Sequence, residues 1–193
     1  MSSAEFQIAA PDRPTQLLIS ALGWLMVVLA TLLAIIPRTF PESAVNSIGS
    51  ILLIAGVLEI VVGTSAAAWA TASVLGSGIF TVALALTILI LGPHTFFTLS
   101  AIVTVWLIAR AAMLLILAFR APWRAAMTWL LISGLGNLLL ASAAVVITMS
   151  ALVAQTLFGP TLKGSGYSIV PAMSLLFNGV SFAAAAIARR RES

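Results

Sequence analysis

Arg110 stands in the stretch VWLIARAAMLLIL (105–117), where every other side chain suits hydrocarbon. An arginine at a bilayer centre costs roughly 2.5–3.5 kcal/mol on insertion scales, so it needs an anion, a hydrated cavity or a deformed bilayer. The next basic residue, Arg120, comes ten positions later. That is about 15 Å along a helix, too far for a guanidinium to snorkel comfortably. The matching anion is Glu59 in GVLEIVVG (56–63), the acidic residue set deepest in an apolar run. Two opposite charges that meet there offset much of each other's desolvation. The chemistry open to such a pair is of two kinds. It can fix how helices assemble, or it can line a wet pocket that serves as a proton or ion route.

Two amides lie at similar depth. Asn137 shares a helical face with Ser133, Gly134, Ala141 and Ala144, and Asn178 shares one with Ser174, Ser181 and Ala185. Glu59, Arg110, Asn137 and Asn178 therefore form a candidate intramembrane polar layer. Gly49, Gly56 and Gly63 recur every seven residues around Glu59. Small seams of this kind let helix backbones approach closely in lipid, which turns Glu59 toward protein. Arg110 instead shares its face with Val103, Trp106, Met113 and Leu114, a bulky stripe. Trp106, one turn away, offers a ring for a cation–π contact.

Other chemistry is sparsely provided. The chain has no cysteine, one histidine and five carboxylates, Glu5, Asp12, Glu42, Glu59 and Glu192. Without cysteine there are no disulfides, thiolate nucleophiles or thiolate metal sites. No metal-ligand cluster, phosphate loop, nucleophile triad or haem signature is legible, so neither an enzyme nor a cofactor is expected. His94 falls in a connection. It is a candidate sensor of external acidity because an ordinary histidine titrates near pH 6.5; the plainer reading is a solvated loop histidine.

The elements that must position these residues follow from composition. Hydrophobic residues make up 62% of the 193 and charged residues 7%. A water-facing surface needs roughly 25% charged residues, so the chain is expected to be an all-α polytopic integral membrane protein. Apolar runs of about 20 residues mark spans: 17–36, 44–66, 72–92, 98–119, 127–150 and 167–188. IPRTFPES (36–43), LGPHTFF (91–97), FRAPWRAA (119–126) and FGPTLKGSGY (158–167) punctuate them with proline and glycine. The break within TSAAAWATAS (64–73) is the least marked. Residues 1–16 form a polar cytoplasmic segment that does not read as a cleaved signal peptide, and 189–193 a basic cytoplasmic tail.

Six spans put both ends on one side, with Arg13, Arg120, Arg124, Arg189, Arg190 and Arg191. Arg38 and Lys163 lie opposite. The positive-inside rule places both termini in the cytoplasm of a bacterial inner membrane. Arg189, Arg190 and Arg191 then meet anionic lipids. Trp24, Trp69, Trp123 and Trp129 read as interfacial anchors. The net charge of +4 reflects this arrangement and not nucleic-acid binding. A homo-oligomer or another membrane protein as partner stays open.

PRTF (37–40) follows the first span and PHTF (93–96) the third. LLIAG (52–56) echoes WLIAR (106–110), and LLISGLGNLLLA (130–141) has the texture of LLIAGVLEIVVG (52–63). A two-span hairpin repeated three times, over about 17–66, 72–119 and 127–188, accounts for these echoes as parallel repeats about an axis along the membrane normal. GSILLIAGVLEIVVG (49–63), VWLIARAAMLLILAFR (105–120) and WLLISGLGNLLLASAAVV (129–146) resemble the HdeD-like acid-resistance membrane protein family. The best stretch runs from the fourth span through a short arginine-containing loop with Trp123 into the fifth. The resemblance implies a six-span inner-membrane protein linked to survival in acid, and carries no catalytic or transport residues. Arg110 stands where that family's pattern has a small residue, and Glu59 is also unusual there. The expectation is a non-enzymatic stress- or acid-resistance membrane protein. The alternative is a small transporter or channel using the polar layer.

Overall fold

The computed structural model describes residues 13–40, 43–65, 68–92, 96–121, 124–158 and 168–192. Six helices account for nearly all of them: α1 (Arg13–Thr39), α2 (Ala44–Ser65), α3 (Ala68–Leu91), α4 (Phe96–Arg120), α5 (Arg124–Phe158) and α6 (Ile169–Glu192). Each contains a stretch long and apolar enough to cross a membrane. The long apolar side chains left exposed, Val28, Ile79, Val105 and Leu139 among them, suit a bundle solvated by lipid, in which an apolar exterior carries no penalty.

The ends differ from expectation in instructive ways. Helix α1 begins at Arg13 and so takes in Thr15 and Gln16, which were expected in a polar segment. Pro14, in the first turn, has no intrahelical amide bond to lose there. The same helix runs past the expected stop at Ile36 through Pro37 to Thr39. A proline this near a helix end removes a single amide bond, and Phe40 N still donates to Ile36 O at 2.9 Å. Helix α3 closes on Gly92, whose φ of 51° is the left-handed conformation glycine adopts most cheaply at a helix C-terminus. Helix α5 has 35 residues, about 52 Å of helix, and so outruns the ~30 Å hydrocarbon core. Nothing in SALVAQTLF (150–158) breaks a helix before Gly159. Helix α6 continues to Glu192, so the basic segment expected as a separate tail is helical in its backbone.

The helices form a closed ring. Each packs on its neighbours in sequence, and α6 returns to α1. The most extensive contacts are α2 with α3, α1 with α6 and α4 with α5; α1 with α2, α3 with α4 and α5 with α6 meet less extensively. Glycine explains the difference. A Cβ built on Gly78 would lie 2.8 Å from Ile60 N, one on Gly23 2.8 Å from Ala183 N, and one on Gly134 3.3 Å from Leu115 N. From the opposite helix, a Cβ on Gly56 would lie 2.8 Å from Val82 N and one on Gly179 3.0 Å from Val27 N. Backbones this close exclude side chains, so all three tight crossings depend on glycine. The seam of Gly49, Gly56 and Gly63 lies against α3 throughout, facing Leu89, Val82 and Leu75.

Inside the ring, buried side chains divide into two apolar clusters. One includes Leu33, Ile48, Leu52, Ile88, Leu99, Val103 and Leu175 and fills the half away from the termini. The other includes Val62, Val74, Leu114, Leu117 and Leu130 and fills the half toward them. Trp24, expected near a span end, lies in mid-helix beside Gly23 and is 55% exposed on the outer surface. Its ring faces outward because the opposite side of α1 is committed to the crossing with α6.

Candidate functional site

Between the two apolar clusters lies a layer of buried polar side chains. Glu59 and Arg110 are each 1% exposed, Asn137 0% and Asn178 2%. The four therefore come together as one interior level, as their depths in the sequence imply. The glycine crossings bring Glu59 into this level, since Gly78 meets the Glu59 Cβ and leaves the carboxylate directed along α3 toward the ring centre.

Arg110 Nη2 donates to Glu59 Oε1 in a buried salt bridge. The second carboxylate oxygen, Oε2, accepts from Ser77 Oγ at 3.2 Å. Thr81 Oγ1 lies 3.4 Å from the same oxygen and donates more favourably to Ser77 O at 2.9 Å. That hydroxyl also accepts from Arg110 Nη1 at 3.1 Å and from Trp106 Nε1 at 3.0 Å. A hydroxyl offers one donor and two acceptor positions, so Thr81 is saturated and joins α3 to α4 at two points. Trp106 also lies under the guanidinium, 4.9 Å from ring centroid to Arg110 Cζ, within cation–π range.

The amides extend the layer. Asn178 sits between Ser133 and Arg110. With its oxygen toward the guanidinium it accepts from Arg110 Nη2 and Nε, and its nitrogen donates to Ser133 Oγ. That orientation satisfies both ends of the amide. Asn137 Nδ2 donates to Ser133 O at 2.8 Å, and Ser174 Oγ donates to Asn137 Oδ1. One connected set of bonds thus links α2, α3, α4, α5 and α6, while α1 presents the fully buried, apolar Met26 at this level.

Burying an unpaired charge or amide in hydrocarbon is costly, and here each of the four principal groups has partners. The layer is also flat. Its members are separated along their helices by one turn or less, while apolar side chains occupy both halves of the ring above and below. The bonds between helices therefore run across the bundle, and those along a helix, Thr81 to Ser77 O and Asn137 to Ser133 O, each span a single turn. A proton or ion route would need a chain of bonds along the membrane normal.

The bulky face of Arg110 is interior after all: Val103 and Trp106 are 0% exposed and Leu114 5%. Small residues mark where two helices touch, and Arg110 points instead at the ring centre, where long side chains are needed to fill space. Ser77 and Thr81 were missed at the sequence level. They sit four residues apart on α3, a spacing that puts both on one face. Hydroxyls in apolar helices so often bond only their own backbone that the pair stood out from no other; Thr31, Thr87 and Ser142 do just that. His94 and Trp123 lie outside the described residues, as do the side chains of Trp69, Arg189, Arg190 and Arg191. No family model, curated protein or solved structure matches the chain.

Proposed function

We propose that this chain is a non-enzymatic, multi-pass protein of the bacterial inner membrane, of the acid- and stress-resistance type, and that its bundle is a closed, proton-tight body. One observation carries the closed reading. The carboxylate of the layer is engaged by the protein's own Arg110 and Ser77 and is sealed between two apolar clusters. A transport site must exchange its internal partners for a substrate or for water. Here the guanidinium already bonds Glu59, Thr81 and Asn178, which favours the structural role over the transporter. The acid- and stress-resistance type rests on the resemblance of residues 49–63, 105–120 and 129–146 to the HdeD-like family.

The finer architecture belongs to the same proposal: three two-helix units, α1–α2, α3–α4 and α5–α6, related by a pseudo-axis along the membrane normal. The alternation of extensive and lesser contacts three times around the ring and the three glycine crossings support it. Both termini face the cytoplasm, with Arg189, Arg190 and Arg191 against anionic lipid.

The test has two arms. In proteoliposomes under an imposed pH gradient, a vesicle-trapped pH dye reports proton flux, and flux with the protein is expected to equal that of protein-free vesicles. In cells lacking the gene, survival of an acid challenge is expected to fall and to return with the wild-type chain. Flux well above the protein-free level, abolished by Glu59→Gln in a protein that still folds, would establish the transporter instead. Unchanged acid survival on deletion would remove the acid-resistance role.

A further inference from the structure

The three glycine crossings define a register. Gly23, Gly78 and Gly134 each approach a backbone nitrogen, of Ala183, Ile60 and Leu115 in turn. Stepping through the chain with these anchors aligns Ser77 with Ser133, Thr81 with Asn137, Trp106 with Ser174, Arg110 with Asn178 and Glu59 with Leu114. Contacts that played no part in setting the register agree with it. Gly56 and Gly179 fall on matching positions, and their built Cβ atoms meet Val82 N and Val27 N, which also match. Trp106 donates to Thr81, and its counterpart Ser174 donates to the counterpart Asn137.

The layer therefore has equivalent sectors with different contents. In the first, Glu59 from one unit meets Ser77, Thr81 and Arg110 of the next. In the second, the corresponding positions hold Leu114, then Ser133, Asn137 and Asn178, all buried. The third is apolar, with Phe182 facing the positions of Leu22, Met26 and Ala55. Resting on the three-unit reading, we propose that the bundle contains a second seat for the buried ion pair, with the carboxylate at position 114 and the guanidinium at position 178. Ser133 and Asn137 stand there where Ser77 and Thr81 serve the resident pair. The third sector offers no polar side chain at these positions and is no seat.

The experiment moves the pair by one unit without changing composition: Glu59→Leu, Arg110→Asn, Leu114→Glu and Asn178→Arg together. Partial exchanges that omit Leu114→Glu or omit Asn178→Arg leave one charge without its partner; moving the carboxylate alone would not, because position 114 lies one turn from Arg110 on α4. Monodisperse yield after detergent extraction of the full chain is the readout. The full exchange is expected within about twofold of wild type and the partial exchanges at least about tenfold below it, because a buried charge without its partner is strongly destabilising. A neutral probe gives a second measurement. Both Leu114 and Leu117 belong to the apolar cluster toward the termini, but only position 114 aligns with Glu59, so Leu114→Gln is expected to be tolerated and Leu117→Gln, 2% exposed, to cost most of the yield. A full exchange no better than the partial ones, or equal losses for the two glutamine variants, overturns the second seat. The three-unit reading is judged separately, by whether α1–α2, α3–α4 and α5–α6 superpose through a three-fold rotation in a structure of the protein in lipid.

Discussion

Glu59→Gln, Arg110→Leu and their combination test the ion pair directly. Glutamine keeps the shape of Glu59 and an oxygen for Arg110, so the change chiefly removes the negative charge. It leaves a guanidinium that is 1% exposed and cannot shed its proton. Breaking a buried pair this way costs about 3–5 kcal/mol, and the lower end applies because the Asn178 and Thr81 bonds remain. Arg110→Leu removes the bonds to Glu59, Thr81 and Asn178. At about 0.6 kcal/mol for an average interhelical bond within a membrane, these amount to roughly 2 kcal/mol, while the Glu59 carboxylate keeps its bond from Ser77. The double variant has no charge in the layer and retains only the lost bonds, about 2 kcal/mol. Independent sites would give a double loss of about 5 kcal/mol by summation, so the cycle is expected to show about 3 kcal/mol of interaction. Reversible unfolding in mixed micelles or bicelles, followed by a conformational probe for all four chains, measures it. A double loss equal to the sum of the single losses within about 0.5 kcal/mol would mean the two groups do not support each other, and the reasoning about the layer would fail.

Thr81→Val keeps the shape of the hub and removes its oxygen, which strands the Trp106 indole and one Arg110 donor; a loss of about 2 kcal/mol is expected from unsatisfied buried donors, measured in the same unfolding assay. Gly179→Ala places a methyl 2.6 Å from Gly23 O, a backbone atom that cannot move aside, and is expected to cost roughly 1–3 kcal/mol. Gly76→Ala meets only Met113 Sδ at 3.9 Å and is expected to be neutral or to gain up to about 1 kcal/mol in helix propensity, so similar melting shifts for the two variants would contradict the crossing geometry. Reporter fusions at both ends are expected to be active only as cytoplasmic reporters, and a periplasmic C-terminus would reverse the assigned orientation.

The sequence made the helices and the charge pair legible because both are local signals against an apolar background. A lone arginine or carboxylate in a span carries its own energetic argument, and counting back from Arg120 was enough to place Arg110 at the level of Glu59. The hydroxyl partners were illegible for the opposite reason: serine and threonine are cheap in apolar helices, and nothing in their type separates Thr81, a hub, from Thr87, which bonds only Ala83 O. The pairing of helices was harder still. The repeat suggested units of α1 with α2, α3 with α4 and α5 with α6, yet Gly23 and Gly179, 156 positions apart in the chain, form one of the three glycine crossings. Closure of a ring is a property of all six helices together and leaves no mark on any one of them.

That closure also accounts for the arginine. Glycine crossings draw the helices together in pairs around a ring, and the space left at the centre must be filled from the walls. Leucines and valines fill it above and below. At the middle level Trp106 and Arg110, the two largest fully buried side chains among the described residues, reach inward from successive turns of α4. Arg110 therefore supplies volume as well as charge, and its aliphatic stem packs where a long apolar residue would. Once a guanidinium fills that space, its donors must be satisfied from side chains that the other walls can offer. Glu59, Thr81 and Asn178 are those side chains, each on a different helix. The polar layer is the cost of closing the ring with an arginine, and its helix-to-helix bonds give the ring a register that apolar packing alone would leave loose.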